Sequence, residues 1–243
     1  MSTALPYIPF PTDQDLAQHT SFGPARRLWT PGSFDYKVFE DGFWGDALLG
    51  LYPDASTDTG TVTFTEHNLN GYIEFKTTAA NDKYAGQGVG LQWSGDQGVL
   101  GEFLVKMPAT ITTMKFEVGF SDADDIAGVV LQKATTSTVT ATDGAVFVFD
   151  TDDDTNIGFV SAKASTTVET QDIAALVASK TYRFAVRIEG DSVSAYIDGT
   201  EVAGHANGIE GGTAITPWVF CQARDASERI IQLHRWRVIS PAY

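Results

Sequence analysis

The sequence predicts an all-β fold, an antiparallel two-sheet sandwich with an extended N-terminal arm. Three observations predict it. Short runs of alternating or β-branched residues recur along most of the chain, separated by Gly, Asp and Asn, the pattern of a sandwich or barrel. Long helical periodicity is nearly absent. Tight-turn signals such as Asp198-Gly199 stand between good strands, where both central residues can take positive φ. The 243 residues then read as one large domain plus the arm.

The arm comes first. Pro6, Pro9, Pro11, Pro24 and Pro31 interrupt residues 1–35, and no strand alternation is sustained there. Yet Tyr7, Ile8, Phe10, Phe22, Leu28 and Trp29 are apolar, more than a free tail usually carries. The segment is expected to lie on a surface, either its own sandwich or a neighbouring subunit. Thr12-Asp13-Gln14-Asp15 carries a helix-start signal that dies by His19.

Residues 36–243 read as the sandwich. Strands are expected at Thr61–Thr65, Gly71–Thr77, Val89–Trp93, Glu102–Met107, Thr113–Phe120 and Gly128–Lys133. Further strands are expected at Ala145–Asp150, Ile157–Ala162, Thr166–Glu169, Tyr182–Glu189, Ser192–Ile197, Thr216–Arg224 and Arg229–Ile239. A short return strand at Glu201-Val202 completes a meander whose links are Gly190-Asp191 and Asp198-Gly199. In its first strand Tyr182, Phe184, Val186 and Ile188 share one face, and Arg183 and Arg187 the other. Gln171–Ala178 suits one or two helical turns.

Charge excludes several functions. There are 16 Lys+Arg against 31 Asp+Glu, a formal net charge of -15. Such a surface repels a phosphate backbone, so no nucleic-acid partner is expected. It also disfavours anionic lipid, and no apolar run reaches the roughly 20 residues of a membrane span, so no membrane insertion is expected. Residues Met1–Phe10 lack the basic start and apolar stretch of a secretory signal, so secretion by that route is not expected. Cys221 is the one cysteine, which excludes an intrachain disulfide and a multi-thiolate metal site.

The stretch Thr181–Val202 (TYRFAVRIEGDSVSAYIDGTEV), with its Tyr-x-Asp-Gly hairpin, resembles the concanavalin A-like lectin/glucanase superfamily. Gly98–Met107 and the terminal Gln232–Val238 resemble other strands of that jelly roll. A narrower resemblance, from about residue 36 to the end, is to lamin-G-like jelly-roll proteins of tailed-phage particles. It rests on Phe39–Phe43, Gly71–Thr77, Glu117–Asp122, Ala145–Thr151 and the same hairpin. It implies a virion structural protein made in the host cytoplasm, such as a capsid decoration or cement protein held through the arm. The implied partners are a major capsid or other virion protein and further copies of the chain, with a trimer as the common form. The alternative is a carbohydrate-binding, lectin-like module of tail or capsid. A glycoside hydrolase is the third reading.

The glucanases of the superfamily place carboxylates on one strand in a Glu-x-Asp-x-(x)-Glu pattern, about 5–5.5 Å apart in a retaining enzyme. No such pattern occurs; Glu102 and Glu117 each stand alone in a strand. The chain is therefore expected to be non-enzymatic and without a cofactor. Asp150, Asp152 and Asp154 alternate like the start of a Ca²⁺ loop, but Thr155 stands where an EF-hand needs Gly and Ser161 where it needs Glu. The cluster reads as a solvated acidic turn, with a looser Ca²⁺ site as the alternative. His19, His67, His205 and His234 show no zinc spacing. Among Trp29, Trp44, Trp93, Trp218 and Trp236, most are expected to be core anchors. Trp44, between glycine-flanked neighbours in Gly42-Phe43-Trp44-Gly45, is the candidate for stacking on a sugar or for anchoring the arm.

Overall fold

The structure is a computed structural model that describes residues 36–43, 56–64, 71–125, 129–133 and 137–241. The arm residues Tyr7, Ile8, Phe10, Phe22, Leu28 and Trp29, the Thr12–His19 helix signal and Trp44 lie outside the described residues.

Seventeen strands follow one another among the described residues: β1 (Tyr36–Asp41), β2 (Ser56–Thr57), β3 (Thr61–Phe64), β4 (Ile73–Lys76), β5 (Tyr84–Gln87), β6 (Val99–Lys106), β7 (Met114–Ser121), β8 (Leu131–Lys133) and β9 (Ser137–Val139). Then come β10 (Gly144–Asp150), β11 (Asn156–Lys163), β12 (Thr166–Ala175), β13 (Thr181–Glu189), β14 (Ser192–Ile197), β15 (Thr200–His205), β16 (Thr216–Ala223) and β17 (Ile230–Pro241). The described residues hold no α-helix, only a 3₁₀ turn at Gly95–Gln97.

The strands form two large antiparallel sheets. The first runs β15-β14-β13-β6-β17-β4-β3, with β1 also on β17, and the second runs β12-β11-β10-β7-β16-β5-β2. Each order joins strands distant in sequence at its centre, β13-β6-β17-β4 in the first and β10-β7-β16-β5 in the second, as in a jelly roll. The hairpin β8-β9 stands apart. Alternation sends one face of each sheet inward. Phe103, Phe184, Trp236 and Val238 of the first sheet meet Phe116, Phe120, Phe147 and Phe159 of the second in a continuous core. Phe116 and Phe184 cross the layer at 5.7 Å between ring centroids.

The predicted sandwich is present, and the β13 alternation is as expected: Tyr182, Phe184, Val186 and Ile188 are buried while Arg183 and Arg187 are exposed. Asp198 (φ 51°) and Gly199 (φ 87°) both take positive φ in the β14-β15 turn, as that dipeptide predicts. Some expectations are corrected. Val89–Trp93 is not a strand; it makes one isolated bridge, Trp93 to Ile215, because its backbone is spent on the turn at Gly90 (φ 84°). The helical turns expected at Gln171–Ala178 do not form, since β12 runs on to Ala175. It does so through a bulge opposite Ile157–Phe159, with Asp172 at φ 55°, so pairing with β11 outweighs a short amphipathic pattern. The strands β1, β2, β5 and β9 were not expected at all.

Gly119 fixes the centre of the second sheet. It sits at φ 154° between β10 and β16, and a Cβ there would lie 2.2 Å from the Ala145 carbonyl oxygen. Only glycine lets the two strands approach that closely.

Candidate functional site

The outer face of the second sheet holds the most unusual chemistry of the described residues. Alternation in β7 turns Phe116 and Val118 to the core and Lys115 and Glu117 the other way. Both charged side chains are nonetheless fully buried, with Lys115 Nζ 2.8 Å from Glu117 Oε1. Glu117 Oε2 accepts the Val130 N–H at 3.0 Å, and Lys115 Nζ stands 5.1 Å from the Phe220 ring centroid. Burial pushes the Lys115 ammonium down from its ordinary range, with Glu117 and then Asp150 opposing that shift.

The chain itself closes this face. Val129, Val130 and Ala141 pack on Val146, Val148, Val160, Ala162, Trp218 and Phe220 as a second hydrophobic cluster. Tyr84 stacks on Phe220 at 5.6 Å. The ion pair therefore sits beneath protein, not in an open groove.

The acidic turn lies at one end of the same face. Asp150 is 3% exposed and is bound twice by Arg224, whose Nε donates to Oδ1 at 2.9 Å and whose Nη2 pairs with Oδ2. Asp152 stands 3.6 Å from the same guanidinium. Asp150 Oδ1 also accepts the Asp152 N–H at 3.3 Å, and Asp154 Oδ1 accepts the Asn156 N–H at 3.0 Å. Beside the turn is a shallow depression rimmed by Asp153, Asp154, Glu169 and Asp172. Among the described residues no group of three or more His, Cys, Asp or Glu has metal-binding geometry. The structure does not bring the predicted trio together as a ligand set, and its first carboxylate is committed to Arg224. A Ca²⁺ site with a Kd of about 10 μM would add roughly 2.7 kcal/mol at 1 mM Ca²⁺. The expected result is no change in Tm between 1 mM Ca²⁺ and chelator, about the concentration at which such a site would show in a thermal scan.

His205 forms a third cluster, which joins the sheets at their edge. Its Nδ1 is 2.7 Å from Ser161 Oγ on β11 and its Nε2 is 3.0 Å from Thr170 Oγ1 on β12. Its ring lies 5.2 Å from that of Phe159. Ser161 is fully buried, and the imidazole is backed by a hydroxyl where a catalytic triad has a carboxylate. Burial pushes the His205 pKa down. His234 is pushed down too, by burial and then by Lys106. A folded-state pKa below the unfolded value near 6.5 gives stability that is present above pH of about 6.5 and is lost as pH falls through the folded pKa. Unfolding midpoints measured from pH 7.5 down to 5 should fall with pH, and His205→Gln should flatten the slope. An unchanged slope would show that His205 is not the titrating group.

The remaining candidates are quiet. Cys221 is fully buried and its thiol is pushed up to about 12 by burial, so it carries no thiolate at neutral pH. Trp93, Trp218 and Trp236 are buried at 2% exposure or less, too deep to stack on a sugar. Glu102 on β6 is held by Arg235 at 2.6 Å. Sequence reasoning missed the Lys115–Glu117 pair, though a Lys-x-Glu inside the apolar strand MKFEVGFS was its signal. It also missed Ser161–His205–Thr170, which has no local signal because its members are 44 and 35 residues from His205.

No protein-family model matches the sequence, and no curated protein is similar to it. Solved structures do share its fold. A protein of unknown function from Shewanella oneidensis superposes with a TM-score of 0.59 at 14% identity, over 100% of this chain and 98% of that one. The carbohydrate recognition domain of Emp47p gives 0.59 at 8% identity, over 87% and 99%. A glycoside hydrolase family 16 endo-glucanase from Bacteroides ovatus gives 0.56 at 7% identity, over 82% and 99%. The chain has the jelly-roll fold of concanavalin A-like lectins and glycoside hydrolases. At these identities the likeness is one of fold, and function belongs to the site.

Proposed function

We propose that the chain is a non-enzymatic structural protein of a phage virion, a capsid decoration or cement protein attached through residues 1–35. One observation supports the non-enzymatic part above the others. The three buried carboxylates that stand on described strands, Glu102, Glu117 and Asp150, are each paired with Arg235, Lys115 or Arg224. A glycosidase needs two carboxyl groups facing one scissile bond, one of them protonated. A basic partner at each one opposes that. The face around Glu117 and Lys115 is also filled by Val129, Val130 and Ala141. The virion assignment draws on the order of features that resembles tailed-phage jelly rolls. A major capsid protein or another virion protein is the proposed partner, and the working form is a homo-oligomer.

Co-sedimentation with purified particles tests it. The full chain should pellet with particles, and a variant lacking residues 1–35 should not while keeping its β-type circular dichroism. Unchanged binding by the truncated chain would reject arm-mediated attachment. The second reading, a carbohydrate-binding module, is supported by the fold shared with the Emp47p domain. A glycan array in millimolar Ca²⁺ distinguishes the two, and turnover of β-glucan would overturn both.

A further inference from the structure

The outer face of the first sheet is chemically unlike the rest of this acidic chain. Most of the described Lys and Arg side chains have a carboxylate oxygen within 4.0 Å. Arg183 and Lys106 make no ion pair, and they share one face. The register pairs Arg183 with Leu104 and Thr181 with Lys106, so the two cations are diagonal neighbours on adjacent strands. Arg235 lies across from Leu104 on β17, and Arg187 lies opposite Leu100. The half-buried Leu104 and Leu100 thus lie among basic side chains.

A chain with 31 Asp+Glu against 16 Lys+Arg has carboxylates to spare for these two cations, yet neither forms an ion pair, although the Asp198 carboxylate accepts the Arg183 backbone N–H at 3.0 Å. Exposed carboxylates occur on the first sheet too, at Glu189, Asp198 and Glu201, but on the other sheet Asp152, Asp153 and Asp172 are exposed together around the shallow depression beside β12. We propose that the Arg183–Lys106 face is a self-association surface whose occupant is the acidic β10-β11 turn and depression of a second copy. Copies of a chain with a net charge of -15 repel one another in most orientations. Basic face against acidic turn is the orientation in which the contact is attractive, and the leucines between the cations supply apolar area. The two surfaces lie on opposite sheets, so the contact is head-to-tail and closes into a ring or runs on as a chain. The inference rests only on the homo-oligomer part of the proposed function.

Light scattering of the full chain tests it across salt, since screening falls from about 10 Å at 0.1 M to about 3 Å at 1 M. Oligomers should form at low salt and dissociate at high salt. The reversal Arg183→Glu with Lys106→Glu should weaken association by about tenfold or more, as should Asp152→Lys with Asp153→Lys. Mixing these two double variants should restore association, because the reversed face of one meets the reversed turn of the other while the unchanged face and turn stay complementary. Joining all four changes in one chain should restore association, because each copy then offers swapped but complementary faces. Thermal melts of every variant control for folding, and a misfolded variant is replaced by Arg183→Gln with Lys106→Gln, which should weaken association less. A monomer under all salts, association indifferent to both reversals, or a four-fold variant that stays dissociated would overturn the contact. None of these outcomes bears on particle binding, which the co-sedimentation experiment reads separately.

Discussion

Lys115→Met is expected to cost about 3–5 kcal/mol of stability, because it strands the Glu117 carboxylate in a sealed apolar environment. Glu117→Gln should cost a similar amount by leaving the Lys115 ammonium unpaired, although Gln still accepts the Val130 N–H. The double variant should recover most of the loss. Two charges leave the interior together, and Met keeps the packing against Phe220. Denaturant unfolding of the four proteins gives the cycle directly. Single variants within about 1 kcal/mol of the parent would mean that solvent reaches the pair and that the face is open. An open face would favour the carbohydrate-binding reading, so the cycle bears on function as well as on stability.

The sandwich was legible because its causes are local. Alternation in Tyr182–Glu189 and the Asp198-Gly199 turn each specify their own geometry, and the chain order of such units implies stacked sheets. The strands that escaped prediction lack that local mark. The sequence of β5, Tyr84-Ala85-Gly86-Gln87, has no alternation of large apolar groups, and it becomes a strand because β16 lies beside it. Trp218 and Phe220 crowd Gly86, where a Cβ would lie 2.9 Å from the indole. The candidate site was less legible than the fold. Asp150 was read from its neighbours Asp152 and Asp154, whereas its partner Arg224 is 74 residues away. A carboxylate trio by spacing is therefore two residues that share Arg224 and one turn residue by structure. Lys115 and Glu117 show the same limit from the other side. Their spacing fixes a shared face, but only the packing of Val129, Val130 and Ala141 decides that this face is buried.

Trp236→Ala should be the most damaging single truncation where β1 joins the first sheet, at about 3–5 kcal/mol. The side chain is fully buried on β17. It makes edge-on contacts with Phe39 at 6.1 Å and Phe103 at 6.5 Å, and a tilted contact with Phe43 at 6.2 Å. Two of these three rings come from β1 and the residues just after it, so Trp236 ties that strand to the sheet. Aromatic burial of this kind removes about 150–250 Å² from water. Removing the indole leaves a cavity that the flanking strands close only in part, since β1 hydrogen-bonds to β17 along its whole length. Trp236→Phe keeps a ring in the same place and should cost less than half as much. Hydrogen exchange separates local from global loss: the amides of Tyr36–Asp41 should exchange sooner in Trp236→Ala, before those of β7 and β16. The strand β1 directly follows residue 35, so on the proposed attachment through residues 1–35 the same variant should weaken particle binding at temperatures where the sandwich is still folded. Full particle binding with unprotected β1 amides would show that attachment does not depend on β1 being docked.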